Sequence, residues 1–228
     1  MMKSSSLRAA TSEQRDYIKA LYNKESVVIP EVGLYGESSF SVVQRKVGEK
    51  FRICWSGLHI PRKSLNLLLE SIACLNRDDI ELHVVGEGSL TSKWKSKASS
   101  LGLENVIWYG WKNHSDAIDV LKTCHVFCIT SLWDLTSTVL LESLSLGLPV
   151  IALDHCGFRN VINDECGIKI GIKSKKQVVG DLAKAIEKLA GDESLRRRLS
   201  EGAIKRSWVY NWEDKAFAIN KMYESVLK

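Results

Sequence analysis

The stretch Ser131–Gly157, SLWDLTSTVLLESLSLGLPVIALDHCG, decides how this chain reads. It opens as an acidic loop, continues as a short amphipathic helix, turns at Gly147-Leu148-Pro149 and ends in a buried strand, PVIALD. Asp134 then falls just before a helix N-terminus, and Glu142 lies on the helix itself. A helix N-terminus presents unpaired N–H groups and the positive end of the helix dipole, so it can hold a phosphate without a metal. A carboxylate about two turns further on sits roughly 9 Å along the axis. That offset lets it accept from ribose hydroxyls while a diphosphate occupies the helix end. An ordinary βα unit with an exposed acid at each end fits the same residues equally well.

Working outward from this stretch, apolar strands alternate with helical patterns from Phe51 onward. The strands are FRICWSG, IELHVVG, NVIWYG, VFCITS, PVIALD and GIKIGI. Between them lie SLNLLLESIACL, LTSKWKSKASSLG, SDAIDVLKTC and STVLLESLSLG, with apolar positions at helical spacing. Strands separated by helices of this length predict a parallel sheet covered on both faces. With right-handed crossovers it becomes a doubly wound, Rossmann-like α/β sheet whose ligand site lies at the carboxyl ends of the strands. After Lys175 the pattern is helical to the end, in QVVGDLAKAIEKLA, ESLRRRLSEGAIKRS and WEDKAFAINKMYESVLK.

The first fifty residues differ. Thr11 to Tyr22 reads as one helix with Thr11 as cap and Gln14 three residues on. VVIPEVGLYG follows as strand and turn, and ESSFSVVQRKVGEK as a polar linker.

Composition narrows the class. At 228 residues, with 45% hydrophobic and 26% charged residues, the chain can bury one substantial core and a small appendage. A net charge of +5 is mildly basic, and the densest run, Arg196-Arg197-Arg198, falls in a helical pattern that reads as a solvated face rather than a nucleic-acid patch. The start, MMKSSSLRAATSEQRDYIKAL, has no apolar central region of a signal peptide, and no stretch approaches the roughly 20 apolar residues of a membrane span. A cytoplasmic protein is the expectation. Six cysteines, none in a C-x-x-C, lie in or beside apolar runs and read as core thiols. His83 and His125 sit in strand patterns and read as packing residues.

The Ser131–Gly157 stretch resembles the carboxylate motif of the group 1 retaining glycosyltransferases of the GT-B fold. There, two acids are separated by seven residues, as Asp134 and Glu142 are here, and a run like GLPVIALD follows. The family usually has Glu at the first position; Asp134 with Leu135, Thr136 and Ser137 is most similar to a subset with a D-L-T-S loop. The likeness extends from about Phe51 to the end. It implies the donor-binding, C-terminal half of a GT-B enzyme: a remnant of the acceptor domain plus linker over 1–50, a nucleotide-sugar-binding Rossmann-like domain over 51–207, and a C-terminal crossover helix over 208–228.

Carried over residue by residue, the resemblance makes WSGLHIPRKSLNLLL the diphosphate loop, with Gly57 and Lys63 in register. Leu58 stands where the family has Arg, and Ser64 where it has Gly; Arg62 is a substitute only if two adjacent loop residues point the same way. A solvated basic pair before a helix is the alternative. Gly86 and Gly88 of VVGEGSL are nucleotide contacts or a plain tight turn, Trp111 a base-stacking or a packed indole, and Gly157 a close-approach position. A role for His155 is open.

The resemblance thus implies a hexose transfer from a nucleotide diphosphate sugar to an acceptor hydroxyl, with retention, in surface-polysaccharide or glycolipid synthesis. Lys63 and the backbone of Thr136, Ser137 and Thr138 would hold the diphosphate, Asp134 the sugar hydroxyls and Glu142 the ribose. No D-x-D and no clustered His/Asp/Glu set occurs, so the expectation is no metal and no cofactor. The expected partners are the nucleotide-sugar donor and the missing acceptor domain or partner chain, with peripheral membrane association through the acceptor and no nucleic acid. The chain alone is expected to bind a donor and transfer nothing. The alternatives are a non-catalytic nucleotide-sugar-binding module and another GT-B enzyme, such as a sugar-nucleotide epimerase.

Overall fold

A computed structural model describes residues 7–35 and 42–227. The first six residues, part of the expected linker and Lys228 lie outside the described residues. The chain begins with a two-residue strand, β1 (Arg8–Ala9), paired in parallel with β2 (Val27–Val28). Between them runs α1 (Ser12–Tyr22), whose first turn is closed by Thr11, accepting from the Gln14 N–H at 3.1 Å.

The main sheet has six parallel strands: β3 (Phe51–Ser56), β4 (Ile80–Val85), β5 (Val106–Gly110), β6 (Val126–Ile129), β7 (Val150–Leu153) and β8 (Gly167–Ile170). Their order is β5-β4-β3-β6-β7-β8. The chain thus builds outward from β3 in one direction, crosses back and builds outward from β6 in the other. The reversal between β3 and β6 opens a crevice at their carboxyl ends, where ligands bind in such sheets.

Helices cover both faces: α2 (Leu65–Leu75), α3 (Thr91–Ser100), α4 (His114–Lys122), α5 (Thr138–Ser145), α6 (Cys156–Val161), α7 (Lys175–Gly191) and α8 (Glu193–Ser207), followed by α9 (Trp212–Leu227). Strand residues alternate between two cores. Phe51, Ile53, Trp55, Val126, Cys128, Ile151 and Leu153 enter one with Leu68 of α2 and Leu182 and Ile186 of α7. Cys54, Phe127, Ile129, Val150 and Ala152 enter the other with Leu140, Leu141 and Leu144 of α5 and Ala203 of α8. Strands buried on both faces are apolar at every position, which is why VFCI and VIAL read as continuous runs.

Two expectations are corrected. Arg196 is fully buried, not part of a solvated face: its guanidinium binds the Glu193 carboxylate at 2.5 and 2.7 Å and the Val43 carbonyl at 2.5 Å, while Arg197 and Arg198 stay exposed. Cys74 is exposed on α2 rather than a core thiol. DHCGF, to which the sequence pattern assigns no element, leads into α6. His83 and His125 are buried as expected.

Candidate functional site

Two loops meet at the crevice. The first leaves β3 at Gly57 and closes in a single 3₁₀ turn, Pro61–Lys63, before α2. The second leaves β6 at Thr130 and runs to α5. They are laced together: the buried Trp55 indole N–H donates to Thr130 Oγ1 at 3.0 Å, that hydroxyl donates to the Lys63 carbonyl at 2.8 Å, and the Leu132 N–H donates to the Arg62 carbonyl at 2.7 Å.

This lacing aims two cations at one acid. Lys63 Nζ lies 2.5 Å from Asp134 Oδ2, and Arg62 Nη1 lies 3.1 Å from the same oxygen. Arg62 also donates to the Trp133 carbonyl at 3.0 Å. The Lys63 stem folds back over Gly57, where a Cβ would meet its Cδ and Cε at 3.7 Å. The condition set for Arg62, that two adjacent loop residues point the same way, is met: the 3₁₀ turn lets both reach Asp134.

Beyond Asp134 the chain enters α5. Ser137 occupies the N-cap position, yet no described side chain caps the helix. Asn113 closes α4, Ser174 closes α7 with a full capping box and Asp192 closes α8, whereas α2, α3 and α6 start without a side-chain cap as α5 does. An uncapped start leaves main-chain N–H groups for an anion. Thr136 is not among them, because its N–H is taken by the Glu31 carboxylate at 2.5 Å. Glu142 of α5 is mostly buried and accepts from, or pairs with, His114 Nε2 at 2.8 Å.

The glycines divide by what approaches them. A Cβ on Gly86 would stand 2.1 Å from the Gly57 carbonyl oxygen, and one on Gly88 2.8 Å from that of His59. The Gly86-Glu87-Gly88 turn is thus packed against the loop after β3, which accounts for both residues without a ligand. A Cβ on Gly157 would stand 1.7 Å from the Leu135 carbonyl oxygen, so α6 presses directly on the acidic loop. Trp111 is exposed on the loop after β5, as is Trp133 beside Asp134.

His155 joins the loops after β6 and β7. Its Nε2 lies 2.9 Å from the Ser131 carbonyl, which can only accept, so Nε2 carries the proton and Nδ1 accepts from the Cys156 thiol at 3.0 Å. Burial pushes that thiol's pKa up, which keeps it a neutral donor rather than a nucleophile. Among the described residues no group of three or more His, Cys, Asp or Glu is placed to hold a metal ion. No described helix is long and apolar enough to cross a membrane.

Sequence reasoning missed Glu31 and His114. Glu31 is a lone acid in a turn-rich stretch, and nothing local marks it. His114 stands one residue after the Asn113 cap, at the mouth of α4, a position that could have drawn attention to it.

The chain is thus a doubly wound α/β domain with two cations and an acid brought together at the switch point of its sheet. Residues 38–206 match the family model for Glycosyl transferases group 1, and the chain belongs to that family. It is 27% identical over 169 residues to the phosphatidyl-myo-inositol mannosyltransferase of Mycobacterium leprae, covering 73% of this chain and 44% of that protein. It is 29% identical over 147 residues to the lipopolysaccharide core biosynthesis glycosyltransferase LpsE of Rhizobium meliloti, covering 64% and 41%. The chain spans less than half the length of these curated relatives. Among solved structures, the Anabaena protein HepE in complex with UDP superposes with a TM-score of 0.82 at 15% identity, over 97% of this chain and 64% of that one. WaaG, a glycosyltransferase of lipopolysaccharide biosynthesis, superposes with a TM-score of 0.75 at 23% identity, over 95% and 63%. The fold is that of the C-terminal half of a GT-B glycosyltransferase, with a helical C-terminal tail.

Proposed function

We propose that this chain is the donor-binding domain of a retaining glycosyltransferase of the D-L-T-S-loop kind. The intact enzyme would transfer a hexose from a nucleotide diphosphate sugar to an acceptor hydroxyl in surface-polysaccharide or glycolipid synthesis. The observation that carries the reading is the convergence of Lys63 and Arg62 on Asp134, next to the uncapped start of α5.

In this reading Lys63, Arg62 and the N–H groups at Ser137 and Thr138 take the diphosphate, and Asp134, released from its cations, accepts from sugar hydroxyls. Glu142 accepts from the ribose, and Trp111 offers a face to the base. In transfer, the bond between the anomeric carbon and the diphosphate oxygen breaks while the acceptor oxygen bonds to that carbon. Negative charge then grows on the leaving diphosphate, where fixed cations and helix N–H groups stabilise it. These groups supply positive charge at the phosphates themselves, so binding proceeds without a divalent cation.

Residues 51–207 form the donor domain, with 1–50 belonging to the acceptor side and 208–228 to the crossover helix. The names of the relatives, which act on phosphatidyl-myo-inositol or lipopolysaccharide, support a glycolipid or polysaccharide acceptor reached at the membrane periphery from the cytoplasm. The second reading is a nucleotide-sugar-binding module without turnover.

The test is thermal unfolding of the chain with a panel of UDP-, GDP- and ADP-sugars in the presence of chelator, followed by a turnover assay. A shift with one base and none with the others supports the reading. No shift with any of them contradicts it.

A further inference from the structure

The segment before the main sheet reaches into the crevice. Glu31, in the turn after β2, accepts the Thr136 N–H through Oε1 at 2.5 Å, across 105 residues of sequence. Thr136 is buried and its N–H is already taken by Glu31, so this contact holds the loop in place. Glu31 is therefore a brace on the loop rather than a rival for its ligand.

The loop is held from the other side as well. Gly157 of α6 sits so close to Leu135 that a Cβ there would stand 1.7 Å from its carbonyl oxygen. α6 is in turn tied to the N-terminal segment: Glu13 accepts the Cys156 N–H at 3.1 Å, and Asn160 accepts the Ser12 N–H at 3.1 Å. Leu135 and Thr136 are thus clamped between α6 and Glu31, with Asp134 on one side and the start of α5 on the other.

Two atoms of the clamp are left over. Glu31 Oε2 and Thr136 Oγ1 are both buried with no described hydrogen-bond partner. Buried polar atoms normally have a partner, so two left over at one contact call for an explanation.

We propose that Glu31 is a positioning residue of the donor site: by fixing Thr136 it sets Asp134 and the first N–H groups of α5, so that the segment 7–35 governs affinity for the diphosphate. This rests on the donor-domain reading above.

The experiment is calorimetry on the whole chain, using whichever of UDP, GDP and ADP binds most tightly, and the matching nucleoside. Loss of a hydrogen bond to a charged group predicts about tenfold weaker diphosphate binding in Glu31→Ala. Nucleoside affinity stays unchanged, and Glu31→Gln, which keeps an acceptor oxygen at the same reach, restores most of the loss. Glu31→Met, of similar length with no acceptor, gives the same loss and serves if the alanine variant unfolds. Equal losses for nucleoside and diphosphate, no loss, or tighter diphosphate binding would each overturn the proposal. A parent chain that binds none of the three diphosphates sinks the donor-domain reading itself, and this inference with it.

Discussion

Lys63 Nζ and Asp134 Oδ2 stand 2.5 Å apart across the point where the strand order reverses, one on the loop after β3 and the other on the loop after β6. Both side chains are largely withdrawn from water, at 11% and 17% exposure. The acid therefore holds the cation that a diphosphate would need in the proposed reading. In the proposed reading, donor binding would be an exchange of partners: phosphate oxygens would take Lys63 and Arg62, and sugar hydroxyls Asp134.

Lys63→Ala should weaken nucleoside diphosphate binding by about 1.5–3 kcal/mol, the range for hydrogen bonds to charged groups. Binding of the nucleoside alone should not change. Arg62 reaches the same oxygen of Asp134, so residual affinity should fall further in the double variant with Arg62→Ala. Calorimetry with each ligand pair checks this, and an unchanged diphosphate affinity in the double variant would remove both residues from the site.

Glu142→Gln should cost about 1–3 kcal/mol in nucleoside diphosphate binding while leaving inorganic pyrophosphate nearly unaffected, because the ribose is the group contacted. His114 already holds one oxygen of this carboxylate at 2.8 Å. Equal losses for the two ligands would move Glu142 out of the ribose role.

Two glycines should respond with opposite signs. Gly180 lies in α7 with nothing within 4 Å of an added Cβ, so Gly180→Ala should stabilise the fold by about 0.5–1 kcal/mol. Gly157→Ala places a Cβ 1.7 Å from the Leu135 oxygen, forcing α6 away from the acidic loop. Its unfolding midpoint in urea should drop, and nucleotide affinity with it. A Gly157→Ala protein with parental affinity would show that the loop tolerates movement.

His125 predicts how stability depends on pH. Burial, aided by the nearby Arg52 and Arg196 cations, lowers its pKa from 6.5 to about 4. The unfolded chain therefore binds the proton first as pH falls, and the stability this neutral imidazole confers is fully present above about pH 6.5 and lost between there and about pH 4. The shift corresponds to at most about 3 kcal/mol. Burial lowers the pKa of His59 and His83 in the same direction, so the informative quantity is the difference in slope between the parent and His125→Asn. Parallel urea-midpoint profiles from pH 7 to pH 4.5 would contradict the assignment.

The sheet was legible because parallel strands covered on both faces carry apolar residues at nearly every position, as in VFCI and VIAL. α6 was hidden because its six residues are too few to show a helical period. The buried Arg196 was hidden because its compensation, Glu193 and the Val43 carbonyl, comes partly from a segment 153 residues away. At the site, motif spacing singled out Lys63, Asp134 and Glu142 in advance. The joint aim of Arg62 and Lys63 depends on a single 3₁₀ turn, and the Glu31–Thr136 contact on tertiary packing, and neither leaves a periodic trace in sequence.

The most direct test of the central claim is calorimetric titration of the chain with the UDP-, GDP- and ADP-sugars, in chelator, beside the Lys63→Ala/Glu142→Gln double variant. The account predicts saturable one-to-one binding of a donor with one of these bases, lost in the double variant while its thermal unfolding stays cooperative. Binding of no nucleotide sugar by the parent, or equal binding by the folded double variant, would contradict it.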